Sequence, residues 1–105
     1  MLTLSEVAER MGTGPTGVRD LLKAGHLISV KTDEGVRIPA EQLDGSTLVK
    51  HLVPVLTLLH DAGYSDEEAL RWLTTPDETL PGTPLQALHE NRATEIKRRA
   101  QALGF

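Results

Sequence analysis

The stretch PTGVRDLLK places polar and apolar residues at helical spacing. At about 100° per residue, the polar side chains fall within one arc and the apolar ones within the opposite arc. The polar arc holds Thr16, Arg19, Asp20 and Lys23, and the apolar arc holds Val18, Leu21 and Leu22. A polar face of this kind either meets the groove of a duplex or is simply hydrated on a surface helix. The elements around it have to decide between these interpretations.

No spacing in the chain is typical of a catalytic or metal site. The absence of cysteine excludes thiolate zinc sites and disulfides. The four histidines never lie four residues apart on one helix, so we expect no metal and no cofactor. The sequence also lacks a nucleophile elbow, a phosphate loop and a paired-carboxylate motif, and we expect no enzyme.

The composition is acidic in both halves of the chain. Among 105 residues with net charge −4, residues 1–45 carry five Lys and Arg against seven Asp and Glu, and the remainder six against eight. Neutralised phosphates supply most non-specific DNA affinity, so a DNA site would have to be a local patch. No apolar run reaches the roughly 20 residues that cross a bilayer, and no basic leader follows the first residue. We therefore expect no membrane association and a cytoplasmic location.

The residues before the polar face predict a helix-turn-helix. Apolar residues recur at i, i+3, i+4 and i+7 from Leu4 to Met11, which predicts a first helix that ends before Gly12. Pro15 suits the first position of a second helix, with one of the two preceding residues as its cap. Gly25 is expected to end this second helix.

The residues after the polar face predict a short β-hairpin. Leu27–Lys31 is apolar and β-branched, Thr32–Gly35 has turn chemistry, and Val36–Ile38 is extended before Pro39. One helical turn over Ala40–Leu43 is expected to follow. A hairpin beside a helix-turn-helix is a wing.

The second half of the chain predicts helices. An apolar helix from Ser46 to Ala62 is expected to be buried nearly all round, and Gly63 closes it. Capping boxes at Ser65 and Thr83 open two more helices, the last running to about Leu103.

These elements predict a mainly α fold with a small β-hairpin wing, in which a winged helix-turn-helix precedes a small helical domain. A linker at Asp44–Ser46 would divide residues 1–45 from residues 46–105. The helix expected between them has eight Leu and Val side chains around its circumference. It is either the central post of a monomer or shares a face with a second copy. We favour a homodimer through the C-terminal half.

The first module resembles the winged helix-turn-helix of the MerR and excisionase group. Its VRDLLKAGHLI stands where those proteins have Val or Leu followed by Arg, a few residues, and Gly-x-Leu/Ile. The following GVRIPAEQL looks like the excisionase-type Arg-Ile-Pro ending. The resemblance covers residues 2–43 and implies that the second helix enters the major groove while the wing runs beside the backbone.

Carried over by position, this resemblance implies six contacts with DNA. The six residues are Thr13, Thr16, Arg19, Lys23, Lys31 and Arg37. Thr16 and Arg19 would reach base edges, and Arg19 could bind a guanine through two hydrogen bonds. The other four would contact phosphates, Thr13 through its hydroxyl and the helix N–H groups. Alternatively, the two lysines are ordinary surface residues that only keep the protein soluble. The alternative for Arg37 is an ion pair with Glu41 or Asp44.

The second half is similar to the C-terminal domain of a small actinobacterial family of winged-helix DNA-binding proteins. It also resembles the toxin-binding region of the Xre, MbcA and ParS antitoxins, which carry Trp-Leu, Pro and Gly-x-Pro-Leu in this order. Here these are Trp72-Leu73, Pro76 and Gly82–Leu85. A corner alone would not need a polar second face, a glycine exit and an adjacent hairpin ending in Arg-Ile-Pro, so we interpret the chain as a sequence-specific binder of duplex DNA in transcriptional regulation. The alternative, which the second resemblance implies, is an antitoxin-like or adaptor protein whose C-terminal helices bind a partner protein.

Overall fold

A computed structural model describes residues 1–104. Within this range the chain forms six α-helices and two small antiparallel hairpins, which confirms the predicted fold class. In chain order the elements are α1 (Leu4–Met11), α2 (Pro15–Lys23), β1 (Val30–Thr32), β2 (Gly35–Arg37), a 3₁₀ turn (Ala40–Gln42), β3 (Leu43–Asp44), β4 (Thr47–Leu48), α3 (Leu52–Asp61), α4 (Asp66–Thr74), α5 (Pro84–His89) and α6 (Ala93–Ala102).

The corner between α1 and α2 forms as the sequence predicts. Helix α1 ends before Gly12, whose φ of 69° is the left-handed conformation that glycine adopts without steric cost. Helix α2 begins with Pro15 and is capped by the backbone of Gly14, with no side-chain cap. Gly25, with φ of 75°, follows the end of α2. The predicted helix-turn-helix is confirmed.

The wing is shorter than predicted at its first strand. Strand β1 begins at Val30 rather than Leu27, because the two residues at positions 27 and 28 are buried in hydrophobic clusters instead of pairing with β2. The hairpin pairs Val30 with Arg37 and Thr32 with Gly35. A separate bridge joins Leu2 to Ile38 and extends this small sheet on the other side.

The predicted linker is instead the turn of the second hairpin. Strands β3 and β4 pair Leu43 with Leu48 and Asp44 with Thr47, so the expectation of a helix from Ser46 is wrong by six residues. Helix α3 starts at Leu52. Pro54 then lies in its first turn, where a missing N–H removes no helical hydrogen bond.

The predicted last helix is two helices. Helix α5 ends at His89 and α6 begins at Ala93, with Asn91 between them at φ of 61°. The Arg92 N–H donates to the Ala87 carbonyl at 2.9 Å, which satisfies a carbonyl near the end of α5. The break turns the chain so that both helices bury apolar residues in the same cluster.

Two hydrophobic clusters form the core. The first lies under the helix-turn-helix and wing, and the second lies among α3, α4, α5 and α6. Ile28 belongs to the second cluster although it lies between α2 and β1, and Leu48 packs against both clusters. His89 Nε2 also donates to the Glu41 carbonyl at 2.6 Å. The N-terminal and C-terminal halves are therefore packed against each other.

Helix α3 buries one face within the chain, while Pro54, Thr57 and Asp61 stay exposed, so the expectation that it is buried nearly all round is wrong. Its buried side chains contact mainly α6 and α4, and they are Leu52, Val55, Leu56 and Leu59. Among residues 1–104 the large hydrophobic side chains that stay exposed are those of Met1 and Val36, both in the N-terminal half. None of the helices within that range is long and apolar enough to span a bilayer.

Candidate nucleic-acid interface

Helix α2 presents its predicted polar arc to solvent. Thr16, Arg19 and Lys23 are exposed, whereas Val18 on the opposite side is fully buried. The three exposed side chains line a shallow groove together with Asp20 and Leu22. The burial of α2 therefore brings together three of the six predicted contact residues on one open face.

Four cations in the N-terminal half form no ion pair within residues 1–104. They are Arg10, whose Nε donates to the Gly45 carbonyl at 2.9 Å, and Arg19, Lys23 and Lys31. In the C-terminal half, the arginines at positions 71, 92 and 99 are paired with carboxylates, whereas Lys50, Lys97 and Arg98 form no ion pair within residues 1–104. The unpaired cations of α2 and β1 are candidates for the local patch that the acidic net charge requires.

The N-terminus of α2 is open. Thr13 is exposed and precedes the cap, so the cap is Gly14 rather than Thr13. The Thr13 hydroxyl lies over Gly17, where a β carbon would collide with it. Free N–H groups in the first turn of a helix attract anions, and the helix dipole adds to this attraction. A phosphate at this point could accept from the hydroxyl and from the helix backbone.

The two wing cations differ in their surroundings. Cross-strand partners lie on one face of a hairpin, which places Lys31 beside the exposed Val36 and Arg37 on the opposite face. The Arg37 guanidinium is 3.7 Å from Glu34 and donates to the Val36 carbonyl at 2.9 Å. Its ion pair is therefore within the wing. The pairs with Glu41 or Asp44 that we considered do not form.

A buried glutamine behind the interface was not predicted. Gln42 is 0% exposed; its amide nitrogen donates to the Ile28 carbonyl at 2.8 Å, and its amide oxygen accepts from the Ile28 N–H at 2.9 Å. This side chain completes the backbone hydrogen bonds of the segment that leads from α2 into the wing. A single glutamine in a helical turn has no sequence pattern that would have revealed this role.

His60 supports the end of α2 from the C-terminal half. A β carbon at Gly25 would lie 3.2 Å from Cε1 of the His60 ring, so glycine allows the close approach. The same ring is held by Asp66, with His60 Nε2 2.8 Å from an Asp66 carboxylate oxygen. The C-terminal half thus contacts a residue that follows the helix with the candidate base contacts.

Two family models match the chain and divide it between them. Residues 1–43 match the model described as "DNA-binding protein Rv2175c, wHTH domain", and residues 49–104 match the "Rv2175c C-terminal domain of unknown function". The chain belongs to the Rv2175c family. The predicted membership in a family of winged-helix DNA-binding proteins with a C-terminal helical domain is confirmed.

A curated relative and a solved structure agree with this family. The chain is 41% identical, over 115 aligned positions, to the DNA-binding protein Rv2175c of Mycobacterium tuberculosis (strain ATCC 25618 / H37Rv), with 97% of this chain and 79% of the relative covered. The NMR structure of Rv2175c superposes with a TM-score of 0.89 at 39% identity, covering 99% of this chain and 80% of that one. The resemblances to MerR and excisionase proteins and to the antitoxins are not shown by these matches.

Proposed function

We propose that this member of the Rv2175c family binds duplex DNA sequence-specifically and acts as a transcriptional regulator. The observation that carries the proposal is the exposed face of α2, where Arg19 and Lys23 form no ion pair with residues 1–104 and lie opposite the buried Val18. The name of the relative from Mycobacterium tuberculosis, a DNA-binding protein, supports the same assignment. An α-helix of this kind fits the width of the major groove.

Each candidate residue has a distinct role in this proposal. Thr16 and Arg19 read base edges from the exposed face of α2, and a guanine accepts two hydrogen bonds from the Arg19 guanidinium. Lys23 and Lys31 neutralise phosphates on either side of the groove. Thr13 holds a phosphate at the N-terminus of α2. Arg37 contacts a phosphate beside the wing, because its ion pair with the exposed Glu34 at 3.7 Å is too weak to prevent this contact.

The test is an arginine substitution measured on two duplexes. A cognate duplex is first enriched from a random-sequence library, and a scrambled duplex of equal length is the comparison. Arg19→Ala is expected to weaken cognate binding by about 1–3 kcal/mol while leaving scrambled binding nearly unchanged. Lys23→Ala is expected to weaken binding of both duplexes equally.

Arg98→Ala is the matched control, because Arg98 is an exposed arginine of α6 in the C-terminal half. It should leave both affinities within experimental error. Equal losses on the two duplexes for Arg19→Ala would contradict base recognition by Arg19.

Mapping of bound sites across the genome at constant salt would then test regulation, since a regulator occupies a defined set of promoters.

A further inference from the structure

An aromatic groove lies on the C-terminal half. It has a volume of about 650 Å³ and runs between α4 and the loop that follows it. Tyr64 and Trp72 provide its rings, and Pro76 and Pro84 extend its apolar surface. Both aromatic side chains are half-buried, so each is anchored in the core and presents part of its ring to the groove. The proposed DNA contacts use none of these residues.

The polar lining of this groove is acidic. Glu68, Asp77 and Glu78 contribute three carboxylates, and the guanidinium of Arg71 is the cation of the lining. That guanidinium is paired with Glu67 at 3.2 Å, and Asp77 is paired with Arg99, so the lining carboxylates that form no ion pair within residues 1–104 are those of Glu68 and Glu78. A surface of this charge repels phosphates, which separates the groove from the DNA site.

The loop that forms one wall is held in place. Arg99 of α6 donates to Asp77 at 3.0 Å and also to the Thr79 hydroxyl, and it is itself paired with Glu95. Leu80 is buried in the cluster below. A groove whose wall is fixed from behind costs little reorganisation when a ligand enters.

We propose that this groove binds a basic, proline-containing segment of a partner protein. Proline-rich segments are preformed as extended helices and dock on surfaces lined by aromatic rings, because little conformational entropy is lost. Lysine or arginine side chains between the prolines would pair with the carboxylates of Glu68 and Glu78 at the rim. The proposal goes beyond DNA binding and does not depend on it.

The experiment uses the full chain and the intrinsic fluorescence of Trp72, which is the sole tryptophan of the sequence. The probe is a synthetic peptide, acetyl-APPKPPRPPK-amide. One control peptide replaces the lysines and arginine by glutamate, and a second replaces the prolines by alanine. We expect a saturable change in Trp72 emission with the first peptide and at least tenfold weaker binding of both controls.

A charge reversal in the groove gives the matching protein variant. Glu78→Lys should weaken the first peptide at least tenfold, because Glu78 is exposed at the groove. Glu9→Lys makes the same change of charge on the exposed face of α1 and should change binding less than twofold. The proposal is overturned if the basic proline peptide gives no saturable change, if the alanine control binds equally well, or if the two variants behave alike.

Discussion

At the scale of single residues, Gln42 is the side chain on which the junction between α2 and the wing depends. It is fully buried and satisfies both backbone groups of Ile28. Gln42→Leu keeps a similar volume but leaves a buried N–H and a buried C=O unpaired, and each such group costs about 1–3 kcal/mol. We therefore expect the free energy of unfolding, measured in urea, to fall by at least about 2 kcal/mol.

The matched control for this substitution is Gln101→Leu on the exposed end of α6. Surface substitutions away from special features usually change stability by no more than about 0.5 kcal/mol. Equal changes in the free energy of unfolding for the two substitutions would mean that the Gln42 hydrogen bonds do not stabilise the fold.

At the scale of elements, helix α4 depends on a reciprocal cap at its first turn. The Ser65 hydroxyl accepts from the Glu68 N–H, and the Glu68 carboxylate accepts from the Ser65 N–H at 3.1 Å. Replacing an N-cap serine by alanine typically costs about 1 kcal/mol. Ser65→Ala should lower the free energy of unfolding by that amount at pH 7, whereas Ser46→Ala in the exposed turn between β3 and β4 should not. A similar loss of unfolding free energy for both variants would exclude a specific role for this cap.

The caps also make stability depend on pH in a defined direction. Hydrogen bonds from Ser65 lower the pKa of Glu68 below its ordinary 4.5, and those from Thr3 do the same to the pKa of Glu6. Hydrogen bonds from Thr79, with a contribution from Arg99, lower the pKa of Asp77 below 3.8.

Because the unfolded chain holds protons that the folded chain has released, these groups stabilise the fold fully above their ordinary pKa values. We expect this stabilisation to be lost as the pH falls through the lowered values. Unfolding midpoints measured in urea between pH 7 and pH 3 should decrease, and Ser65→Ala should make the decrease shallower. An identical pH dependence in wild type and variant would contradict the assignment to Glu68.

At the scale of the whole molecule, the charge distribution predicts how DNA affinity responds to salt. The chain is acidic, and Arg19, Lys23 and Lys31 are the unpaired cations of the proposed interface. Each neutralised phosphate contributes about −0.9 to the slope of log K against log salt, so we expect a slope between about −2 and −4 per chain. Lys31→Ala should reduce its magnitude by about 1, and Lys97→Ala on α6 should not. A salt-independent complex would contradict the proposed mode.

The packing of α3 predicts the association state. The homodimer suggested by its apolar sequence stays untested, but within one chain the buried face of this helix packs against α4 and α6. The exposed large hydrophobic side chains among residues 1–104 belong to Met1 and Val36, and neither lies on α3. We expect sedimentation equilibrium without DNA to show one species of 11.4 kDa at all concentrations. A concentration-dependent dimer would contradict this expectation.

The features that the sequence by itself determined are those whose causes lie within a few residues. The corner at Gly12 and Pro15, the caps at Ser65 and Thr83, and the polar arc of α2 could all be predicted. Left-handed glycine, first-turn proline and capping boxes act through backbone conformation and hydrogen bonds between residues at most three or four apart. Half of the candidate site, the face of α2, follows from this local physics.

The other features of the fold and of the candidate site depend on contacts that the sequence pattern does not reveal. The start of α3 depends on the pairing of β3 with β4, and the burial of Ile28 depends on an amide 14 positions away at Gln42. The engagement of Arg37 with Glu34 depends on how the wing turn folds. Apolar periodicity shows that a segment is buried, but it does not identify the neighbour that buries it. Tertiary packing determines that neighbour, because each buried polar group in the folded chain needs a hydrogen-bond partner.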